Sequence, residues 1–135
     1  MKKKKSKILA SSLLGLLLLF SIVVTASAYT QKYDCSTSGQ ACQGVEFKGY
    51  GTPVEYSDYV YAKAGQSLSV SNDSTGAFNL VTQLVDSNNK AVGEEVYFTD
   101  TKSIRVPGAG NYKVKVSCKD TSIQERCTGF GQVSQ

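Results

Sequence analysis

The 135-residue chain has no histidine. That excludes Ser-His-Asp and Cys-His catalysis, and it excludes histidine as a metal ligand. Cationic excess is also missing once the first 28 residues are set apart. Five of the 15 Lys and Arg residues lie there, and none of the 11 Asp and Glu residues do. Residues 29–135 therefore carry 10 positive and 11 negative side chains. Affinity for phosphate backbones scales with the cations supplied, so nucleic acid is not an expected partner. Anionic membrane surfaces lose their attraction for the same reason. Helical periodicity is nearly absent, as are internal repeats and low-complexity linkers. No cysteine directly follows the small residues at 26–28, so a lipid anchor is not expected.

Residues 1–28 have the three-part layout of a secretory signal peptide. Lys2, Lys3, Lys4, Lys5 and Lys7 form a cationic start. Ile8 to Val24 is an uncharged apolar run of 17 residues, near the lower limit for a spanning helix. Ala26-Ser27-Ala28 supplies the small residues accepted at a cleavage site. The compact Lys-rich start resembles signals of Gram-positive bacteria. The expectation is a secreted, extracellular bacterial product, held at the cell wall by non-covalent contacts if at all, with no membrane insertion after cleavage.

The mature length of 107 residues suits one domain with one core. Its four cysteines, Cys35, Cys42, Cys118 and Cys127, are an even count in an exported small domain, which argues for two disulfides. The spacings are wider than a zinc knuckle uses. Three pairings are open. The local pairs Cys35–Cys42 and Cys118–Cys127 are preferred, because each closes a polar, turn-rich loop. A terminus-to-terminus staple is the alternative.

Period-two alternation dominates the rest. Leu68 and Val70 alternate with serines, Val114 and Val116 with lysines, and Ile104 and Val106 with Ser103 and Arg105. Each pattern describes one buried and one wet face. Phe78 to Val85 is apolar on both faces and reads as a central strand. Turn residues separate these runs, notably Ser87-Asn88-Asn89-Lys90 and Pro107-Gly108-Ala109-Gly110-Asn111. The spacing predicts strands over 45–50, 54–63, 67–72, 78–86, 91–98, 102–107, 111–118 and 127–134. Eight short strands at this interval indicate an all-β fold, a single antiparallel β-sandwich of jelly-roll or immunoglobulin type. Residues 29–44 are expected as an N-terminal arm tethered by its disulfide, and 45–135 as the sandwich.

Three segments resemble bacterial secreted sandwich modules of the pre-peptidase C-terminal type and related jelly-roll accessory domains. They are Ala64-Gly65-Gln66-Ser67-Leu68, Thr82 through Asp86-Ser87-Asn88-Asn89-Lys90 to Val92, and Pro107-Gly108-Ala109-Gly110-Asn111-Tyr112 to Val116. The likeness covers about residues 61–117. It implies a sandwich with an extracellular, non-catalytic role, and it assigns no functional residue. Asn89 departs from the family pattern by standing where a turn glycine is usual.

Paired carboxylates are the catalytic option that remains. Glu46, Glu55, Glu94 and Glu95 lie on or near predicted strands, where surface placement is the plainer reading. Asp86-Ser87-Asn88-Asn89 has the beginning of a calcium loop but lacks its glycine and distal Glu, so turn formation explains it. No cofactor and no metal are expected. The candidate binding surface is aromatic: Tyr50, Tyr56, Tyr59 and Tyr61, with Tyr56 reaching the face of the other two only across a bulge or turn. Tyrosine combines a broad apolar ring with a hydroxyl, which suits sugar stacking and protein interfaces. The expected function is a small, non-enzymatic binding protein whose partner is an envelope glycan or another protein. A bacteriocin, toxin or enzyme inhibitor on the same scaffold is the alternative, and a small carboxylate hydrolase comes third.

Overall fold

The computed structural model describes residues 29–48, 54–75, 80–119 and 127–135. Residues 1–28, and Tyr50 with them, lie outside the described residues. The described chain contains ten strands and no helix: β1 (Tyr29–Asp34), β2 (Cys42–Lys48), β3 (Val54–Tyr56), β4 (Val60–Ala62), β5 (Ser67–Ser74), β6 (Leu80–Asp86), β7 (Val96–Tyr97), β8 (Asp100–Arg105), β9 (Gly110–Cys118) and β10 (Gly129–Ser134). They form two antiparallel sheets. The first runs β1-β2-β10-β5-β8; the second runs β3-β9-β6-β7, with β4 also paired to β9.

The alternation places the layers. Val45, Phe47, Leu68, Val70 and Val133 point inward from the first sheet, and Leu80, Leu84, Val114 and Val116 from the second. Burying one face of each sheet against the other is the only way such strands remove their apolar rows from water. β6 is buried along both faces, with Val81 and Val85 as covered as Leu80 and Leu84.

Part of the core between the sheets is polar. The Thr82 hydroxyl donates to Asn72 Oδ1 at 2.8 Å, and the Asn72 amide donates to the carbonyls of Leu80 at 3.0 Å and Phe98 at 2.5 Å. Both side chains are buried, so each hydrogen bond offsets a desolvation cost. Gly131 sits over this pair. A Cβ there would collide with the Thr82 hydroxyl and lie 2.6 Å from Val116 Cγ2.

Two disulfides brace the ends. Cys35–Cys42 closes the β1–β2 hairpin across a Cα separation of 4.9 Å. Cys118–Cys127 joins the end of β9 to the approach to β10, linking the second sheet to the first. The residues between Cys118 and Cys127, apart from Lys119, are outside the described set.

Several elements differ from the sequence pattern. The expected arm over 29–44 contains an edge strand: residues 29–34 pair in register with 43–48. Its polar composition is that of an edge exposed on one side. The run 54–63 is broken into β3 and β4 by Ser57, Asp58 and Tyr59. Ser57 replaces a ladder group there. Its amide donates to Val114 O at 3.0 Å while its hydroxyl accepts from Val114 N at 3.0 Å. The strand expected over 91–98 reduces to Val96–Tyr97, because Gly93 takes φ +71° and breaks the extended path. At 87–90 the chain turns with Asn89 at φ +62°, a conformation asparagine tolerates.

Candidate functional site

Two outward faces carry aromatic side chains. On the second sheet, the excursion at Ser57–Tyr59 brings Tyr56 and Tyr59 to either side of Lys113. Its Nζ lies 4.4 Å from the centroid of the Tyr56 ring and 4.9 Å from that of Tyr59. An ammonium held over two rings is attracted by both π faces. Tyr61 projects from β4 beside them, and Val54, Tyr59 and Tyr61 are 50%, 46% and 54% exposed. Asp58 turns toward the first sheet, where Lys32 Nζ lies 3.4 Å away. Tyr56, Tyr59 and Tyr61 thus occupy one sheet face, and Lys113 links the first two. Tyr50 is not described.

The outer face of the first sheet is the more elaborate surface. The pairing lays two rows across it. One runs Tyr33, Gly44, Gln132, Ser71, Thr101; the next runs Gln31, Glu46, Phe130, Asp73. At about 4.8 Å between strands, the first row spans roughly 19 Å. Gly44 decides its shape. The Tyr33 ring folds down over the space a side chain would fill, so a Cβ at Gly44 would sit 2.8 Å from Tyr33 Cε1. From there the Tyr33 hydroxyl donates to Gln132 Oε1 at 3.1 Å, and its ring meets Phe130 edge-on with centroids 6.3 Å apart. Burial, and then the charge of Glu46, push the Tyr33 hydroxyl up to about 12. It remains a donor at neutral pH. With its oxygen engaged by Tyr33, Gln132 has its amide nitrogen left to offer outward.

Beyond Phe130 the surface sinks into a pocket of about 430 Å³. Phe130 and Gln132 form one wall; Ser71 and Asp73 form its floor with Asn72; Thr99, Asp100 and Thr101 close the far side. The Ser71 and Thr101 hydroxyls bond each other at 2.9 Å, and Thr99 donates to Asp73 Oδ1 at 3.0 Å. Phe98 stands next to this wall, 67% exposed and at φ +57°. Its carbonyl is the one held by buried Asn72, so the sheet-to-sheet polar pin also sets the turn that carries Thr99. A bulky side chain at positive φ is an uncommon backbone state.

Little in the sequence points to this face. Tyr33 and Phe130 lie almost a hundred residues apart, and only the pairing of β1, β2 and β10 brings them together. The available signal was Gly44 in a strand, which marks close approach by another group.

The remaining candidates are dispersed. Glu46 lies on the outer face of the first sheet, and Glu55 accepts from Thr30 at 3.4 Å. Glu94 lies 3.0 Å from Lys102 Nζ. Glu95 binds Lys119 at 2.7 Å and also receives the Tyr97 hydroxyl; those bonds hold its carboxyl below the usual range. Asp86 Oδ1 accepts the amides of Asn88 and Lys90 at 2.9 Å each, which makes it a turn former. Ser87 and Lys90 have Ser-x-x-Lys spacing, but both are exposed in that turn. Among the described residues, no group of three or more Cys, Asp and Glu could hold a metal ion, and no helix is long and apolar enough to cross a membrane.

No protein-family model and no curated protein matches the chain. Among solved structures it is similar to PliG of Aeromonas hydrophila, a periplasmic inhibitor of g-type lysozyme, at 17% identity over 82% of this chain and 87% of that one, with a TM-score of 0.46. It is also similar to the C-terminal CBM6 of LamC from Zobellia galactanivorans, at 10% identity over 81% and 91%, with a TM-score of 0.43. A family 11 carbohydrate-binding module of Clostridium thermocellum follows, at 12% identity over 85% and 89%, with a TM-score of 0.30.

Proposed function

We propose that the chain is a secreted, non-enzymatic binding protein that holds an envelope glycan on the outer face of its first sheet. One observation carries this reading: an aromatic platform, Tyr33 against Phe130, opens directly onto a pocket of hydroxyls, an amide and carboxylates. Sugars present apolar C–H faces and a rim of hydroxyls. An aromatic ring with clustered polar groups beside it matches both. The two disulfides fit an oxidising compartment outside the cytoplasm.

The reading is tested by sedimentation with purified cell wall and with neutral polysaccharides. Truncating a central aromatic anchor costs about 2 kcal/mol or more, which is roughly 30-fold in affinity. Phe130→Ala is expected to lose retention by that factor while melting near the parent temperature. Absence of retention of the parent protein on every polysaccharide refutes the proposal.

A protein partner is the second reading, in keeping with an enzyme inhibitor on this scaffold. The exposed Tyr59, Tyr61 and Val54 on the opposite sheet favour it. Under that reading Tyr59→Ala and Tyr61→Ala abolish binding, and Phe130→Ala does not.

A further inference from the structure

A phenylalanine stands where the backbone least suits one. Two residues, Phe98 and Thr99, join β7 to β8, and Phe98 takes φ +57° there. A left-handed residue in a short connection is normally glycine or asparagine, and a bulky side chain held in that state is strained. Burial does not offset the strain. Phe98 has the parity of Ile104, which β8 turns into the core, yet Phe98 is 67% exposed. What fixes the turn is the buried Asn72 amide, which donates to the Phe98 carbonyl at 2.5 Å. Asn72 and Thr99 both line the pocket beside Phe130. That bond accounts for the conformation of the turn. It leaves the choice of an exposed ring, in place of glycine, without a use inside the fold.

We infer that Phe98 is a second stacking surface for the glycan, and that the ligand is an oligosaccharide long enough to run from the Tyr33–Phe130 platform across the pocket to this ring. This rests on the glycan reading above.

The layout sets the length. Phe130 on β10 lies opposite Asp73 on β5, and the Thr99 hydroxyl bonds Asp73 from the far side. Phe130 is thus two strand intervals, about 10 Å, from the wall that carries Phe98. That exceeds one pyranose ring. A disaccharide seated on the platform leaves Phe98 in water, and a longer chain running across the strands covers it. The C–H face of a sugar then removes apolar ring surface from solvent. The turn is pinned before the ligand arrives, so little backbone ordering opposes the contact.

The exported protein is tested by sedimentation with purified cell wall, and by titration calorimetry with chitobiose, chitotetraose, cellobiose and cellotetraose. The parent is expected to bind a tetramer about tenfold more tightly than its dimer, the contribution of one aromatic at the rim of a site. Phe98→Gly relieves the backbone and deletes the ring. Its urea midpoint is expected to be no lower than the parent's. It is expected to lose the tetramer's advantage and about tenfold in retention on cell wall, with the dimer bound as before. Phe98→Tyr keeps a ring and is expected to keep both. Equal binding of dimer and tetramer by the parent overturns the inference, as does unchanged glycan binding in Phe98→Gly. In either case a loss of retention in Phe130→Ala leaves the glycan reading standing. A lowered urea midpoint in Phe98→Gly also overturns it, because the ring is then a packing residue, and so does a Phe98→Tyr protein that binds as weakly as Phe98→Gly. If the wall is bound and no oligomer is, retention on the wall alone decides. No binding of cell wall, oligomer or neutral polysaccharide by folded parent protein overturns both readings.

Discussion

Replacing Gly44 with alanine separates the binding face from the fold beneath it. In most strands that change is close to neutral or mildly stabilising, because alanine loses less backbone freedom than glycine on folding, by about 0.5–1 kcal/mol. Here the new methyl would lie 2.5 Å from the Tyr33 hydroxyl oxygen and 2.8 Å from Cε1. Those atoms are the far end of a rotatable side chain, so the ring can swing away instead of straining the strand. Stability is expected to stay within about 1 kcal/mol of the parent. The displaced ring loses its bond to Gln132 and its edge contact with Phe130. It also loses the burial that holds its hydroxyl near 12, so the value is expected to fall toward the ordinary 10.0. NMR titration of ring-labelled tyrosine reads this directly, with Tyr33→Phe assigning the signal. The linkage has a definite sign. The folded parent keeps the Tyr33 proton more firmly than the unfolded chain, so the associated stability is complete below about 10 and is lost as pH rises through about 12. In Gly44→Ala that alkaline loss is expected to shrink. Glycan affinity is expected to fall in step, because the platform is broken. An unchanged Tyr33 titration in a folded Gly44→Ala protein refutes the proposed packing. A shifted titration with unchanged affinity refutes the platform's role.

Gly131→Ala is expected to do the opposite, destabilising by about 1–3 kcal/mol in urea unfolding, because the methyl meets Thr82 and Val116 inside the closed core. Replacing Cys118 and Cys127 together with alanine is expected to lower stability by about 2.6 kcal/mol from loop closure alone, and a thermal or denaturant midpoint indistinguishable from the parent's refutes the estimate. The bridge spans nine positions.

Much of the architecture was legible because alternation is a local signal. Leu68 and Val70, Val114 and Val116, and Ile104 each declared their buried face without reference to a partner. What escaped was decided between strands. The edge strand over 29–34 is polar, and only its register with β2 makes it a strand. The break at Ser57 depends on a hydroxyl substituting for an amide-to-carbonyl contact with β9, which no propensity encodes. The tyrosine cluster was conspicuous because its members are neighbours in sequence. The face built from Tyr33, Phe130 and Asp73 was not, since its members are drawn from three separate strands. Lys113 shows the same limit. Its place in an alternating strand marks it as solvent-facing, yet its partners, the Tyr56 and Tyr59 rings, come from across the sheet.

The position of β10 has a consequence for how the molecule comes into being. This strand, last of the described strands in chain order, lies between β2 and β5 and is, among the described residues, the link between the two halves of its sheet. Until Gly129 to Ser134 emerge, both halves present bare edges, and the hydrophobic layer beneath them stays open to water. A polypeptide halted just short of that point has almost all of its core residues and no means of enclosing them. Closure of the first sheet is thus deferred until this strand has emerged, after the other described strands of the sandwich.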